Sequence, residues 1–589
     1  MPKRWRIATL DRQRAAALEK AAGVPPVVAQ LLVERGIDDP AEARGFLTPK
    51  LTGLRDPEQL PGAERAAELL HAAIHDGRRI VVYGDYDADG MTATAILFRC
   101  LRLLGADVRS YVPCRLEEGY GLNDTALVKL AAEGTHTVVT VDNGVAGLDQ
   151  ADRARQLGLQ LIVTDHHQMA DRLPDAAAIV HPALPGAAYP FDGLCGAAVA
   201  FKLAWALCKR STEAAVAGRG DGRVPERMRR FLMQAVGLAA IGTVADVVPL
   251  LDENRILVWH GLNALRQQPT PGVAALEQVS KLSDKPSLSG EDVAFSIAPR
   301  LNAAGRLGQA MLGVELLTTD DPHRAEELAR YVSELNETRQ SLERSVLLAA
   351  RKQAKASFDP ANDPALVLAD RGWHPGVIGI VAGKLVEQHG VPVVVVSQDK
   401  LGVAPAIGSG RSVPGFDLAA ALADCSEHLE SCGGHAAAAG LRVRDENLDA
   451  FRIDFCTRVA TARAGDDAEL ELAIDAETPL AALTHQTVRQ IEQLAPFGHG
   501  NRRPTLCTHG VRLAAPPRRI GGAGRHLSLE VEQHGVKLRA VAFGGGDWED
   551  RLARVDGPLA IAFKPVLNTF RGLSRVEMHL EDWREDPTA

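Results

Sequence analysis

Cysteine is sparse: eight residues, at positions 100, 114, 195, 208, 425, 432, 456 and 507, are scattered through 589 with no CxxC pair and no metal-finger spacing. A disulfide scaffold is excluded, and no structural zinc site is indicated. Long hydrophobic runs are also missing. The longest nearly apolar stretch, Gly237 to Leu251, carries Asp246 in its middle and falls short of the ~20 residues a membrane-spanning helix needs, so no membrane association is expected. The opening MPKRWRIATLDRQR has charges but no apolar run behind them, which is not a secretory signal; a cytoplasmic protein is the expectation. Nor is there a general excess of positive charge, since the formal net charge is −9. No repeat or low-complexity tract stands out.

What is present is an ordinary globular balance, 46% hydrophobic and 24% charged, in a chain long enough for about four domains. One region departs from the acidic average. Arg502 to Arg575 holds 13 Lys and Arg against 6 Asp and Glu, a bias that solvation can produce but that also suits an anionic partner.

The chain divides by pattern into five segments. Residues 1–75 read as short helices with breaks, as in GIDDPAEARGFL, where Asp39 can cap a helix with Pro40 at its first position. Over 76–318 the strand runs RRIVVYGD, ADVRSYVP, THTVVTVD and LQLIVTD alternate with helices, the rhythm of a parallel, doubly wound α/β sheet. Residues 319–358 form one long connecting helix, free of internal Pro and Gly from Pro322 onward. A second α/β domain, 359–465, opens with ALVLAD and VPVVVVS, and 466–589 reads as alternating strands (HLSLEVE, VKLRAVAF, PLAIAFKP, RVEMHLEDW) of a small β-barrel.

In an open parallel sheet the ligand crevice lies beyond the carboxyl ends of the strands, and carboxylates accumulate there. VVYGDYDADG places Asp85, Asp87 and Asp89 within five residues, where mutual repulsion calls for cations or full solvation. The pattern imitates a calcium loop, but the glutamate such a loop needs at position 97 is leucine. VVTVDNG brings Asp142, LIVTDHHQ brings Asp165, His166 and His167, and GLAAIGTVADVVPL brings Asp246, read as a fourth group at the same sheet edge. Each alone is explained by capping or surface polarity; four in succession indicate a dinuclear metal site. Carboxylates with imidazole and no thiolate favour Mn²⁺ or Mg²⁺, and two such ions suit hydrolysis at phosphorus.

DYDADG, VDNG, TDHH and GTVADVVPL, in this order, resemble the four motifs of the DHH phosphoesterase superfamily. RGIDDPAEARGFL, YPFDGLCGAAVAFKL, APRLNAAGRLG, HPGVIGIVAGKL, GSGRS, GGHAAAAG and APFGHGN resemble the RecJ single-stranded-DNA-specific exonucleases in particular, over nearly the whole chain. The resemblance implies a DHH catalytic domain at 76–318, a DHHA1-type substrate-binding domain at 359–465 and an oligonucleotide-binding (OB) barrel at 466–589. It implies a 5′ to 3′ exonuclease releasing 5′-mononucleotides from single-stranded DNA in recombination and repair, with two Mn²⁺ or Mg²⁺ ions.

Carried over by position, it makes Asp87, Asp89, Asp142, His166 and Asp246 the metal ligands, with Asp142 bridging. Asp85 and Asp165 orient ligands, and His167 faces the phosphate. Arg300, Asn302, Arg306, His374, Ser409, Arg411, Ser412 and His435 become substrate contacts. Arg518, Arg519, Arg525, Lys537, Lys564 and Arg571 become nucleic-acid contacts, with Phe543, Phe563, Phe570 and Trp548 placed either for base stacking or in the core. Single-strand-binding protein and a RecQ-type helicase are the implied partners. Two alternatives remain open: a DHH phosphodiesterase for short oligonucleotides or cyclic dinucleotides, against which the added barrel speaks, and a binding scaffold that has lost catalysis, against which the intact motifs speak.

Overall fold

Ile80–Tyr83, Thr137–Thr140 and the Leu161–Thr164 part of Gln160–Thr164 are buried on both faces, which is why they read as unbroken apolar or threonine-bearing runs rather than as alternating ones. In the computed structural model, which describes residues 3–115, 118–119, 121–216, 225–359, 362–462, 471–570 and 573–586, they lie in a five-stranded, wholly parallel sheet. Its order is Val108–Tyr111, Ile80–Tyr83, Thr137–Thr140, Gln160–Thr164, Ala178–Val180. The last strand, three residues long, was not anticipated from the pattern. Helices Ala88–Leu103, Asp124–Ala132 and Leu148–Gln156 make the crossovers. Asp85, Asp142 and Asp165 accordingly sit just past three neighbouring strand ends.

Asp246 reaches the same place by another route. The run that precedes it is not a strand but the end of helix Glu226–Ala245, with Asp246 as its C-terminal cap residue. Gly237 to Thr243 is buried all round, and a short continuous apolar run has the same signature in a buried strand and a buried helix.

The long connecting helix is Pro322–Ser357, capped by the Asp321 carboxylate, which accepts from His323 N–H. Its first half packs against helices Pro271–Val279, Ala298–Arg306 and Ala310–Thr318. Its second half buries Val346, Ala350 and Ala354 with Leu366, Leu368, Trp373 and Ile378 of the second α/β domain. That domain has a mixed sheet in the order Leu429–His435, Ala438–Val443, Ala406–Arg411, Val393–Ser397, Leu366–Asp370, parallel only between the last two.

The C-terminal strands Leu506–Leu513, Leu559–Phe570, Leu573–Glu585, Val536–Ala542 and His526–Gln533 pair in that sequence, and the first also pairs with the last, so hydrogen bonding runs in a ring. Their core is shared with the N-terminal helices Arg12–Ala22, Pro26–Glu34 and Pro40–Leu47: Leu18, Val28, Leu31 and Leu32 pack with Leu506, Val531, Ile561 and Phe563. Residues 1–55, 247–260 and 468–589 thus form one compact unit, and 56–246 with 261–467 a second. Strand Arg4–Ile7, in a stretch read from sequence as helical, pairs in parallel with Glu471–Ile474.

Within the first unit Arg255 is 3% exposed, and among the described residues no carboxylate pairs with its side chain. The guanidinium lies 3.8 Å over the Phe46 ring and donates to the carbonyls of Phe46, Gln493, Leu494 and Ala495. Burial, reinforced by Arg35, lowers its pKa to about 9. Arg255→Ala is expected to destabilise the unit by ~3 kcal/mol, because several buried carbonyls lose a strong donor; denaturant unfolding measures the loss.

Candidate active site

The first strand ends at Tyr83, and the chain turns through Gly84 and Asp85 into helix Ala88–Leu103. Asp87 is that helix's N-cap and accepts from Gly90 N–H at 3.0 Å. Asp89, in its first turn, is 1% exposed and is clamped by the amides of Gly196 (2.7 Å) and Ala197 (2.9 Å), at the start of another helix. Two glycines make the approach possible. A Cβ on Gly196 would lie 2.5 Å from Asp142 Oδ1, and one on Gly242 would lie 2.4 Å from Asp89 Oδ1.

Asp142 follows its strand in the left-handed region, φ 63°, a conformation Asp tolerates better than most residues and one that persists only where its surroundings enforce it. Its amide donates to Thr164 O at 3.0 Å, and Thr164 Oγ1 donates to Thr140 O at 2.8 Å, tying two strand ends together beneath the cluster. Asp165 accepts from Val145 N–H, His166 N–H, His167 N–H and His167 Nδ1.

Ligand atoms converge here in three overlapping groups, each within 4.8 Å: Asp85, Asp87 and Asp142; Asp89, His166 and Asp246; and Asp142, His166 and His167. His166 Nε2 lies 3.1 Å from Asp142 Oδ1, 3.7 Å from Asp246 Oδ2 and 3.9 Å from Asp89 Oδ2. Every residue assigned to the metals by resemblance is therefore brought together, and Asp85, assigned an orienting role, stands among the same donors.

Burial pushes the carboxyls of Asp85, Asp89 and Asp142 above their usual range, and their mutual charges add to it; Asp246 is raised to about 8 for the same two reasons. Burial opposes protonation of His167, but its hydrogen bond to Asp165 and the surrounding carboxylates lift its pKa to about 9. The protonated ring is thereby favoured, with Nδ1 held against Asp165 Oδ1 at 2.7 Å. His166 goes the other way: burial lowers its pKa and favours the neutral ring that coordinates metal.

The donor set fits divalent cations. Among the described residues Asp85 Oδ1 and His166 Nε2 are buried without a hydrogen-bond partner, in a cluster whose carboxylates repel one another. Carboxylate and imidazole donors without thiolate suit Mn²⁺ or Mg²⁺.

Beside this cluster is a cleft of about 460 Å³ whose rim carries Arg115, Arg306, Arg411 and Arg442, with no carboxylate among its described lining residues. Ser409, Gly379 and the Gly433–Gly434 pair complete it. Arg306 is lowered to about 10 by burial and by Arg115, Arg339 and Arg411; Arg411 is lowered by burial and by Arg115. Desolvated cations crowded against one another make an anion site. Arg306 Nη1 donates to Gly376 O at 3.3 Å, and Arg411 Nη1 to Ser409 Oγ at 3.1 Å.

The remaining proposed substrate contacts are dispersed. Arg300 points to Ser296 O, Val279 O and Ser333 Oγ. Ser412 Oγ donates to Phe416 O, and His374 Nδ1 accepts from Gly376 N–H within the turn that abuts Arg306. His435 is exposed at the end of an edge strand. Asn302 Oδ1 accepts from Ala88 N–H at 2.8 Å.

Sequence reasoning passed over Arg115, whose guanidinium lies 4.8 Å from the Tyr86 ring centroid, because nothing marks one arginine in CRLEEGY. It also passed over His181, 1% exposed, whose Nδ1 accepts from Ala183 N–H and whose Nε2–H therefore donates to His167 O.

In the C-terminal segment Arg518 and Arg525 are exposed and make no side-chain ion pair among the described residues, whereas Arg519 pairs with Glu549, Lys537 with Glu532 and Lys564 with Glu581. Arg571 lies outside the described residues. Phe563 is fully buried and Trp548 partly so, while Phe543 is 62% exposed, with His526 and His579 edge-on at 5.4 and 4.9 Å.

Three family models match the chain: the DHH family N-terminal domain over 79–239, the DHHA1 domain over 362–461 and the RecJ OB domain over 474–582. Single-stranded-DNA-specific exonuclease RecJ of Bacillus subtilis is 35% identical, over 98% of this chain and 70% of the relative. The RecJ of Dickeya dadantii is 35% identical over 98% and 99%. The crystal structure of Thermus thermophilus RecJ in complex with Mn²⁺ superposes with a TM-score of 0.82 at 32% identity, covering 100% of this chain and 80% of that one; its complex with Mg²⁺ gives 0.77.

Proposed function

The chain belongs to the RecJ family of single-stranded-DNA-specific exonucleases, and on that premise we propose that it degrades single strands from the 5′ end to 5′-mononucleotides, in DNA recombination and repair. It is a metal-dependent exonuclease by its full-length relatives. One observation carries the finer reading: a cleft with four arginines and no carboxylate among its described lining residues adjoins the carboxylate cluster in the same compact unit. A phosphate held in the cleft by Arg115, Arg306, Ser409 and Arg411 would leave the following phosphodiester at the cluster.

Asp85, Asp87 and Asp142 would hold one cation and Asp89, His166 and Asp246 the other. When bound, Mn²⁺ or Mg²⁺ supplies Lewis-acid polarisation of the phosphodiester and lowers the pKa of the attacking water. Asp165 fixes the ring of His167, and His181 anchors the carbonyl of the same residue. So placed, His167 would donate a hydrogen bond to charge developing on the phosphoryl oxygens.

The exposed Phe543, with Arg518 and Arg525 on the same barrel, supports a second contact with single-stranded DNA. Replacing Arg518 and Arg525 together by Gln is expected to make the dependence of log affinity on log salt shallower by ~0.7 for each phosphate no longer neutralised, as read by fluorescence anisotropy on long single strands. Single-strand-binding protein and a RecQ-type helicase are the partners this reading brings, and the cytoplasm its compartment. No single helix among the described residues is long and apolar enough to cross a membrane.

Digestion of linear single strands, circular single strands and blunt duplex with Mn²⁺ tests the proposal. Only the linear single strand should be consumed, and a chelator should stop it. Efficient cutting of circles would overturn the dependence on an end.

A further inference from the structure

The first N–H groups of helix Ala88–Leu103 have no partners within the helix, and they lie between metal ligands. Asp87 satisfies Gly90 N–H. Ala88 N–H, between Asp87 and Asp89, is satisfied from far away in sequence by Asn302 Oδ1 at 2.8 Å. Asn302 belongs to helix Ala298–Arg306, whose Leu301, Ala303 and Ala304 are fully buried and leave it no freedom to shift.

The same helix presses on the metal loop a second time. A Cβ on Gly305 would lie 1.8 Å from Tyr86 O, so helix backbone and loop backbone are in direct contact there. One turn beyond Asn302, on the same helix face, is Arg306 of the anion cleft. Its carbonyl is approached so closely by Gly376 that a Cβ there would lie 2.3 Å away, and its guanidinium donates to Gly376 O. A nine-residue helix therefore touches the metal loop with Asn302 and Gly305 and the phosphate cleft with Arg306.

We infer that Asn302 is a positioning residue: it holds the Asp87–Asp89 loop in register with the cleft that grips the end phosphate, and does not itself contact DNA. The inference rests on the exonuclease reading above and assigns a role within it. An acceptor is what the position requires, since the group it serves is a backbone N–H. An alanine would leave that N–H unpaired next to the ligands and free the loop to move against the cleft.

The experiment compares the wild type with Asn302→Ala and Asn302→Asp; the aspartate keeps an oxygen at the same place. Mn²⁺ binding is measured without DNA by electron paramagnetic resonance of free Mn²⁺. Affinity for a 5′-phosphorylated oligonucleotide is measured in chelator, and kcat and KM on a linear single strand. Asn302→Ala is expected to weaken Mn²⁺ binding and lower kcat, each by ~10–100-fold, the usual cost of losing a group that orients metal ligands, with KM and DNA affinity unchanged. Asn302→Asp should restore Mn²⁺ binding. Should the alanine variant lose its cooperative melt, Asn302→Ser, whose hydroxyl falls about one bond short of the amide, is read in the same assays.

Loss of DNA affinity with Mn²⁺ binding intact would make Asn302 a substrate contact and overturn the inference, as would unchanged Mn²⁺ binding and kcat in the alanine variant. A wild-type protein that binds no Mn²⁺ would instead overturn the metal reading beneath it.

Discussion

Asp142→Asn is expected to cost at least ~1000-fold in hydrolysis, the several kcal/mol that a metal centre contributes to the transition state, while leaving affinity for long single strands nearly unchanged. Asp142 is 2% exposed, stands at a strand end in a left-handed conformation, and faces Asp85, Asp87, Asp89 and Asp246. An amide keeps its shape but supplies no charge to a cation, whereas most binding energy comes from phosphates gripped elsewhere. The same substitution should raise the melting temperature of the protein in chelator, because one of several crowded like charges is gone. It should also abolish the stabilisation that Mn²⁺ gives the wild type through binding to the folded state. Substantial activity in this variant, or a lower melting temperature in chelator, would contradict a metal centre built on repelling carboxylates.

Arg411→Ala should lower kcat/KM on 5′-phosphorylated single strands by on the order of 100-fold, the value of one or two charge-assisted hydrogen bonds. Its guanidinium sits in the cleft with Arg115 and Arg306 and is braced on Ser409 Oγ and Gly410 O. A strand ending in a 5′-hydroxyl brings no anion to that place, so the variant and the wild type should cut it at similar rates. Ser409→Ala should shift the same ratio in the same direction by less, since it removes a neutral donor. Equal loss on both substrates would mean that Arg411 supports the fold of the second α/β domain and does not read the end.

The acidic cluster was legible in the sequence because its members lie beside regular elements that local pattern reveals: a strand end for Asp85, Asp142 and Asp165, and the start of the next helix for Asp87 and Asp89. Asp246 was legible as a member of the cluster but not in its setting, since Gly237 to Thr243 is enclosed on every side and carries no period that separates helix from strand. In RLNAAGR three polar residues look alike on paper. Helical geometry sends Arg300 to Ser296 and Ser333, Asn302 to the metal loop and Arg306 to the cleft, and only the packed helix distinguishes them. Arg115 gains its place from partners distant in sequence, which no local pattern encodes. The same holds for PVVAQLLVE, whose apolar face is completed by Leu506, Val531 and Ile561 at the other end of the chain. Basic residues of the barrel were read as a group; the structure divides them, since Arg519, Lys537 and Lys564 answer neighbouring glutamates, whereas Arg518 and Arg525 make no ion pair among the described residues.

The central claim is that one end phosphate is held in the arginine cleft while the carboxylate cluster cuts the phosphodiester that follows it. A linear single strand carrying a radioactive 5′-phosphate, digested with Mn²⁺ alongside the same strand labelled at its 3′ end, tests this most directly. The 5′ label should appear at once as a mononucleotide, while the 3′ label stays on a strand that shortens progressively. Early release of the 3′ label, or a 5′ label released first on longer fragments, would contradict it.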